Sequence, residues 1–267
     1  SVLSLLQESA IIKTDSNDTA AEDTGKMRAG RPVRILRERV VKTMKKILFI
    51  GNSHTYFNDM AGMFAQLCAA HPDIGPVHIA QLTHGGVSLC WHRDEPEARF
   101  NIQYGGYDYV VLQQAAHPFD GETALLQGAQ ALGKWIRESG ATPVLYMTWA
   151  QKAYPQNQEE MSAAYEKAAR LLPAKLAPVG RAWQQVRKDA PQLELYYTDG
   201  AHASAAGSYL AACTILTAIF GVSPVGLPGR LEHHGESLVQ LSDETARILQ
   251  NAAERAVCAG ACEPLAQ

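Results

Sequence analysis

From Met44 onward the chain alternates short apolar runs with stretches of helical periodicity, and this alternation limits the fold more than any other feature. Lys46-Ile47-Leu48-Phe49-Ile50 is nearly continuous in apolar residues and stops at Gly51. A strand that is apolar on both faces has to be covered on both faces, as in a parallel sheet between helical layers. Further strands are expected at His78–Leu82, Tyr107–Leu112, Pro143–Thr148 and Lys175–Val179. Helices are expected between them: over Phe57–Ala70, where Met60, Phe64, Leu67 and Cys68 form one face, over Glu122–Ser139 and Gln158–Leu172, and through Trp183 and Val186. An extended Leu193–Tyr197, an Ala-rich helix over Ser204–Phe220 and a last helix over Ser237–Val257 complete the reading. The expected class is α/β, a three-layer α/β/α domain on a parallel five-stranded sheet.

Composition removes several other classes. Among 267 residues, 24 Lys and Arg face 27 Asp and Glu, a net charge of −3 that argues against a protein built to wrap nucleic acid. No run approaches the roughly 18 apolar residues of a membrane span. Five cysteines, an odd number scattered through apolar contexts, suit reduced thiols and a cytoplasmic setting. The first 25 residues lack the basic and continuous apolar regions of a secretory signal. The Arg/Lys-rich Lys26–Lys46 reads as a solvated arm, so residues 1–43 are expected to be a non-catalytic extension and 44–267 a single domain.

In open parallel sheets, reactive groups collect at the carboxyl ends of the strands. Four segments stand there: Gly51-Asn52-Ser53-His54-Thr55, Thr83-His84-Gly85-Gly86-Val87-Ser88, Gln113-Gln114-Ala115-Ala116-His117 and Thr198-Asp199-Gly200-Ala201-His202. Ser53 lies in a strand-to-helix turn, where it reads either as a helix N-cap or as a nucleophile. Thr55 stands where a G-x-S-x-G elbow needs glycine. Taken alone, Asp199 reads as a turn residue ahead of Gly200, and His202, three residues on, as a surface histidine at a helix start. Beside Ser53 they supply what a serine nucleophile requires: an imidazole to take its proton and a carboxylate to orient the ring.

With ILFIGNSHTYF, LTHGGVSL, YDYVVLQQ and TDGAHASAAGSYLAA in place, the sequence resembles the SGNH hydrolases, also called the GDSL-like esterase family, from Lys46 to about Phe220. The resemblance implies a flavodoxin-like sheet, hydrolysis of acyl esters, Ser53 as nucleophile, His202 as base and Asp199 as its orienter. It also implies an oxyanion hole made by the Ser53 amide, a glycine amide of the second segment and a side-chain amide of the third. Two departures stand out. The second segment has adjacent glycines, and Gly86 is preferred to Gly85 because Val87-Ser88-Leu89 continues the family-like run. The third segment has Gln113-Gln114 where the family has asparagine; Gln113 is preferred and Gln114 held in reserve. The expected activity is hydrolysis of a small, short-chain or acetyl ester, with acyl transfer or non-catalytic binding of a carbohydrate or ester as alternatives.

His54, although it adjoins Ser53, is not expected to act as the base, and His117 with Pro118 reads as a rigid loop bordering the cleft. No cofactor or metal is expected, since His233-His234 with Cys258 and Cys262 match no compact ligand spacing. The expected partner is a small-molecule acyl ester, with no nucleic acid and no membrane span.

Overall fold

A computed structural model describes residues 44–261. Five parallel strands form the central sheet: β1 (Lys45–Gly51), β2 (Val77–Thr83), β3 (Tyr109–Leu112), β4 (Thr142–Met147) and β5 (Lys175–Pro178), in spatial order β2-β1-β3-β4-β5. Alternate residues of each strand serve opposite layers, which is why the strands read as continuous apolar runs. Ile47, Phe49, Val111, Val144 and Tyr146 enter one core cluster, while Leu48, Ile50, Val110, Leu112, Leu145 and Met147 enter the other. The first core packs α2 (Met60–Ala70), α7 (Val179–Asp189), α8 (Ala205–Phe220) and α9 (Asp243–Ala261) against the sheet; α1 (Ser53–Tyr56) is a single turn leading from β1 toward α2. The second packs α3 (Leu89–Asp94), α4 (Pro96–Tyr104), α5 (Gly121–Glu138) and α6 (Gln158–Leu171). This is the expected three-layer α/β/α architecture.

Several local expectations are corrected. The first long helix starts at Met60, not Phe57, because Asn58 and Asp59 both adopt left-handed backbone conformations. Tyr107 and Asp108 precede β3, and Asp108 instead accepts from the Lys46 N–H at 2.9 Å and pairs with Lys45 at 2.7 Å. Ser237 is not helical. Strands β6 (Arg230–His233) and β7 (Glu236–Gln240) form an antiparallel hairpin, and α9 starts only at Asp243. Its two-residue loop, His234-Gly235, has positive φ at both positions, the turn that matches strand twist. Leu193–Tyr197 contributes only a bridge between Tyr196 and Ala203. The expected extension over 1–43 lies outside the described residues.

In this strand order the chain leaves β1 toward β2 on one side and returns to β3 on the other. The carboxyl ends of β1 and β3 therefore flank the topological switch point, where a crevice opens. Among the described residues, no helix is long and apolar enough to cross a membrane.

Candidate active site

Ser53 opens α1 directly behind β1, and the N-cap of that turn is Asn52. The Asn52 side-chain oxygen accepts from the His54 N–H at 3.0 Å, and its amide nitrogen donates to the Val87 carbonyl at 3.0 Å. The capping duty that a serine might fill is thus taken by its neighbour. Gly51 is required by close approach, since a Cβ there would come within 2.5 Å of both Gln113 Oε1 and Thr55 Oγ1.

The structure brings Ser53, His202 and Asp199 together. His202 Nε2 lies 2.8 Å from Ser53 Oγ, and His202 Nδ1 lies 2.6 Å from Asp199 Oδ2. An ionised carboxylate can only accept, so the proton belongs on Nδ1 and the Nε2 lone pair faces the serine O–H. Partial burial pushes the Asp199 carboxyl up. Hydrogen bonds from the His202 ring and from the Ala201 and His202 N–H groups outweigh it and hold the pKa at about 2. The loop is fixed from outside as well: Trp149 Nε1 donates to the Ala201 carbonyl at 2.8 Å, and the Lys152 N–H to the Gly200 carbonyl at 2.9 Å. The His202 ring stacks between Phe57 (4.7 Å, 24°) and His54 (5.0 Å, 26°).

The oxyanion candidates are placed unequally. Neither the Ser53 nor the Gly86 N–H has a hydrogen-bond partner among the described residues. Gly86 has φ +73° with open space where a Cβ would stand, so conformation requires glycine there. Gln113 departs from expectation, because its side chain is fully buried and its oxygen and one of its two amide hydrogens are engaged beneath the serine turn. Its Oε1 accepts from the Asn52 N–H at 2.8 Å and Thr55 Oγ1 at 2.9 Å, and its Nε2 donates to the Gln114 carbonyl. It is a brace beneath the serine turn. Gln114, also buried, accepts from the Leu89 N–H at 2.8 Å and so ties the third loop to the second. Gln113→Ala is therefore expected to lower stability as well as rate, because the Asn52 N–H and Thr55 hydroxyl lose their acceptor. The loss should reach about 2 kcal/mol, or roughly 4–8 °C in Tm. Thermal unfolding alongside kcat checks this; a lower kcat at unchanged Tm would return Gln113 to the donor role.

His54 and His117 lie beside each other near His202, with ring centroids 4.9 Å apart. Burial first, then the charges of His117 and His202, lowers His54 to about 3. Burial and then His202 lower His117 to about 4. Both are neutral at neutral pH. An unfolded histidine titrates near about 6.5, so below that pH the unfolded chain binds more protons than the folded one. Stability is complete above about pH 6.5 and falls as the pH drops toward the folded values. His54→Phe, which keeps a ring against His202, should make Tm less sensitive to pH between about 6 and 4. Thermal melts across that range check it, and an unchanged slope would mean His54 is already charged there.

Sequence reasoning missed several supports. His92, fully buried, meets the Gly51 carbonyl at 2.8 Å, and Tyr146 donates to the His54 carbonyl at 3.2 Å. His92 follows the second segment by four residues and Tyr146 lies within the fourth expected strand, so only their polarity within apolar surroundings could have marked them. His233 and His234 sit at the β6–β7 turn, where His233 pairs with Asp59 at 3.1 Å; Cys262 lies outside the described residues.

No family model and no curated protein matches this sequence. Solved structures do share its fold. A DUF4886 family protein from Bacteroides uniformis is 22% identical, with TM-score 0.61 over 81% of this chain and 95% of that one. A putative GDSL-like lipase from Parabacteroides merdae is 18% identical (TM-score 0.53, 67% and 98% covered). A carbohydrate esterase family 3 protein from Talaromyces cellulolyticus is 12% identical (TM-score 0.53, 67% and 97% covered). The architecture is that of the SGNH-type hydrolases. At such identities the likeness is one of fold.

Proposed function

We propose that this protein is a serine hydrolase that cleaves small acyl esters, short-chain or acetyl, through a covalent acyl-enzyme. The observation that carries the reading is the continuous chain from Asp199 through His202 to Ser53, with links of 2.6 and 2.8 Å. Ser53 Oγ attacks the ester carbonyl carbon while His202 Nε2 takes its proton, and Asp199 stabilises the imidazolium. The carbonyl oxygen becomes an oxyanion that the free Ser53 and Gly86 N–H groups are suited to receive. As the C–O bond breaks, the imidazolium gives its proton to the leaving alkoxide. Water, deprotonated by the same nitrogen, then attacks the acyl carbon; the bond to Ser53 Oγ breaks, the imidazolium returns its proton to that oxygen, and the acid leaves.

A cavity of about 370 Å³ supports a small substrate. It is lined by Ala116, His117, Phe119, Tyr154 and Met161 among others, and it meets the triad through ring contacts, His117 lying 4.9 Å from His54, which stacks on His202. That two proteins of similar fold are a putative GDSL-like lipase and a carbohydrate esterase agrees with ester chemistry. The test is covalent capture: a fluorophosphonate should modify Ser53, and a p-nitrophenyl ester series should favour the shortest chains. Label on another serine would overturn the assignment. Transfer of the acyl group to an added alcohol in preference to water would redirect it to an acyltransferase.

A further inference from the structure

Between the serine turn and α2 the backbone does something unusual for residues with side chains. Asn58 (φ 55°, ψ 22°) and Asp59 (φ 49°, ψ 51°) are both left-handed, one after the other. Such conformations persist only where the surroundings over-determine them, and they concentrate at functional sites. Asp59 is held both by its own helix and from afar: Oδ1 accepts from the Gly62 N–H at 3.1 Å as the N-cap of α2, and Oδ2 pairs with His233. Asn58 is held at long range. Its Nδ2 donates to the Ala203 carbonyl and to Ser208 Oγ, both at 2.9 Å, and Ser208 Oγ donates in turn to the Phe57 carbonyl at 3.4 Å. Ala203 directly follows His202, and Phe57, which directly precedes Asn58, lays its ring on the His202 imidazole.

We propose that Asn58 is a positioning residue for the base: its carboxamide clamps the His202 loop to the serine turn, and its left-handed backbone sets Phe57 against the imidazole. The proposal rests on the triad reading above. Ser53 and His202 stand 149 positions apart in the sequence, on separate loops, and their 2.8 Å contact has to be set by tertiary contacts. Asparagine meets both demands, since it tolerates the left-handed region and brings two N–H donors. Glycine meets only the first. Aspartate tolerates the conformation but turns an acceptor toward the Ala203 carbonyl.

Asn58→Gly and Asn58→Asp therefore separate the clamp from the turn. Both are expected to fold, as judged by circular dichroism and a cooperative melt, and both should lower kcat for p-nitrophenyl acetate by about 10- to 100-fold, the range of a misplaced reacting pair. KM should stay within about twofold, because the clamp touches no substrate. The low-field proton resonance of His202 Nδ1–H, held by Asp199 in the wild type, should broaden in both variants. That signal reads the ring's position whether or not the chain turns over an ester, so failure of the hydrolase reading and failure of this proposal give different results. Should one variant fail to fold, the other carries the test. A folded Asn58→Gly protein with kcat within about twofold of wild type, or with the resonance unchanged, overturns the proposal.

Discussion

Ser53→Ala is expected to lower kcat for ester hydrolysis by about 10⁶, the scale seen when a serine nucleophile is removed from a working triad. The fold should not notice. Asn52 supplies the helix cap, and Ser53 Oγ has one hydrogen-bond partner, His202 Nε2, which can turn to water once the hydroxyl is gone. The melting temperature should therefore move by no more than about 2 °C, the change expected of a site with no cap or core contact to lose. What survives would be transition-state binding by the free amides of Ser53 and Gly86, worth about 10³–10⁴ over the uncatalysed reaction. Kinetics with p-nitrophenyl acetate measure the first quantity, and loss of fluorophosphonate incorporation by mass spectrometry gives an independent check. Retained turnover with label elsewhere would remove Ser53 from the mechanism.

The large features of the fold were legible because they rest on short-range pattern. Both faces of β1 are buried, and the run from Ile47 to Ile50 shows it directly. The loop carrying Asp199 and His202 was legible for a similar reason: three residues of spacing let one carboxylate bind two N–H groups and a ring of its own turn. What stayed hidden depends on partners far away in sequence. Gln113 looked like a donor for the cleft because its position at the end of β3 was visible. That its carboxamide turns under the serine turn, to Asn52 and Thr55, follows from β1 and β3 being neighbours in the sheet. The left-handed pair at Asn58 and Asp59 was concealed by the helical periodicity on its C-terminal side. Most of β7 falls inside the expected last helix because Ser237–Gln240 runs into a genuine helical pattern, while the turn chemistry of His234-Gly235 marks the hairpin.

Asp199→Asn is expected to lower kcat by about 10⁴ with substrate binding retained, and the reason lies in which oxygen does what. Oδ1 of Asp199 accepts from the Ala201 and His202 N–H groups at 2.9 and 3.0 Å, so an asparagine would keep its carbonyl oxygen there. Its NH₂ group would then occupy the place of Oδ2 and donate toward His202 Nδ1. The ring would have to present a lone pair at Nδ1 and carry its proton on Nε2, which faces Ser53 Oγ as a donor and cannot take the hydroxyl proton. The defect is thus the wrong tautomer in the right place, and the backbone of the loop should be unchanged. The pH dependence sharpens the test. With its pKa held at about 2, Asp199 is ionised at every pH above about 4, so its own titration cannot shape the wild-type profile across the working range. Measured between pH 5 and 9, roughly where histidine changes charge, the variant should therefore lie far below wild type at neutral pH with KM little altered. A variant within about tenfold of wild type, less than a triad carboxylate is worth, would reduce Asp199 to a turn former and leave His202 to be oriented by its stacking between Phe57 and His54.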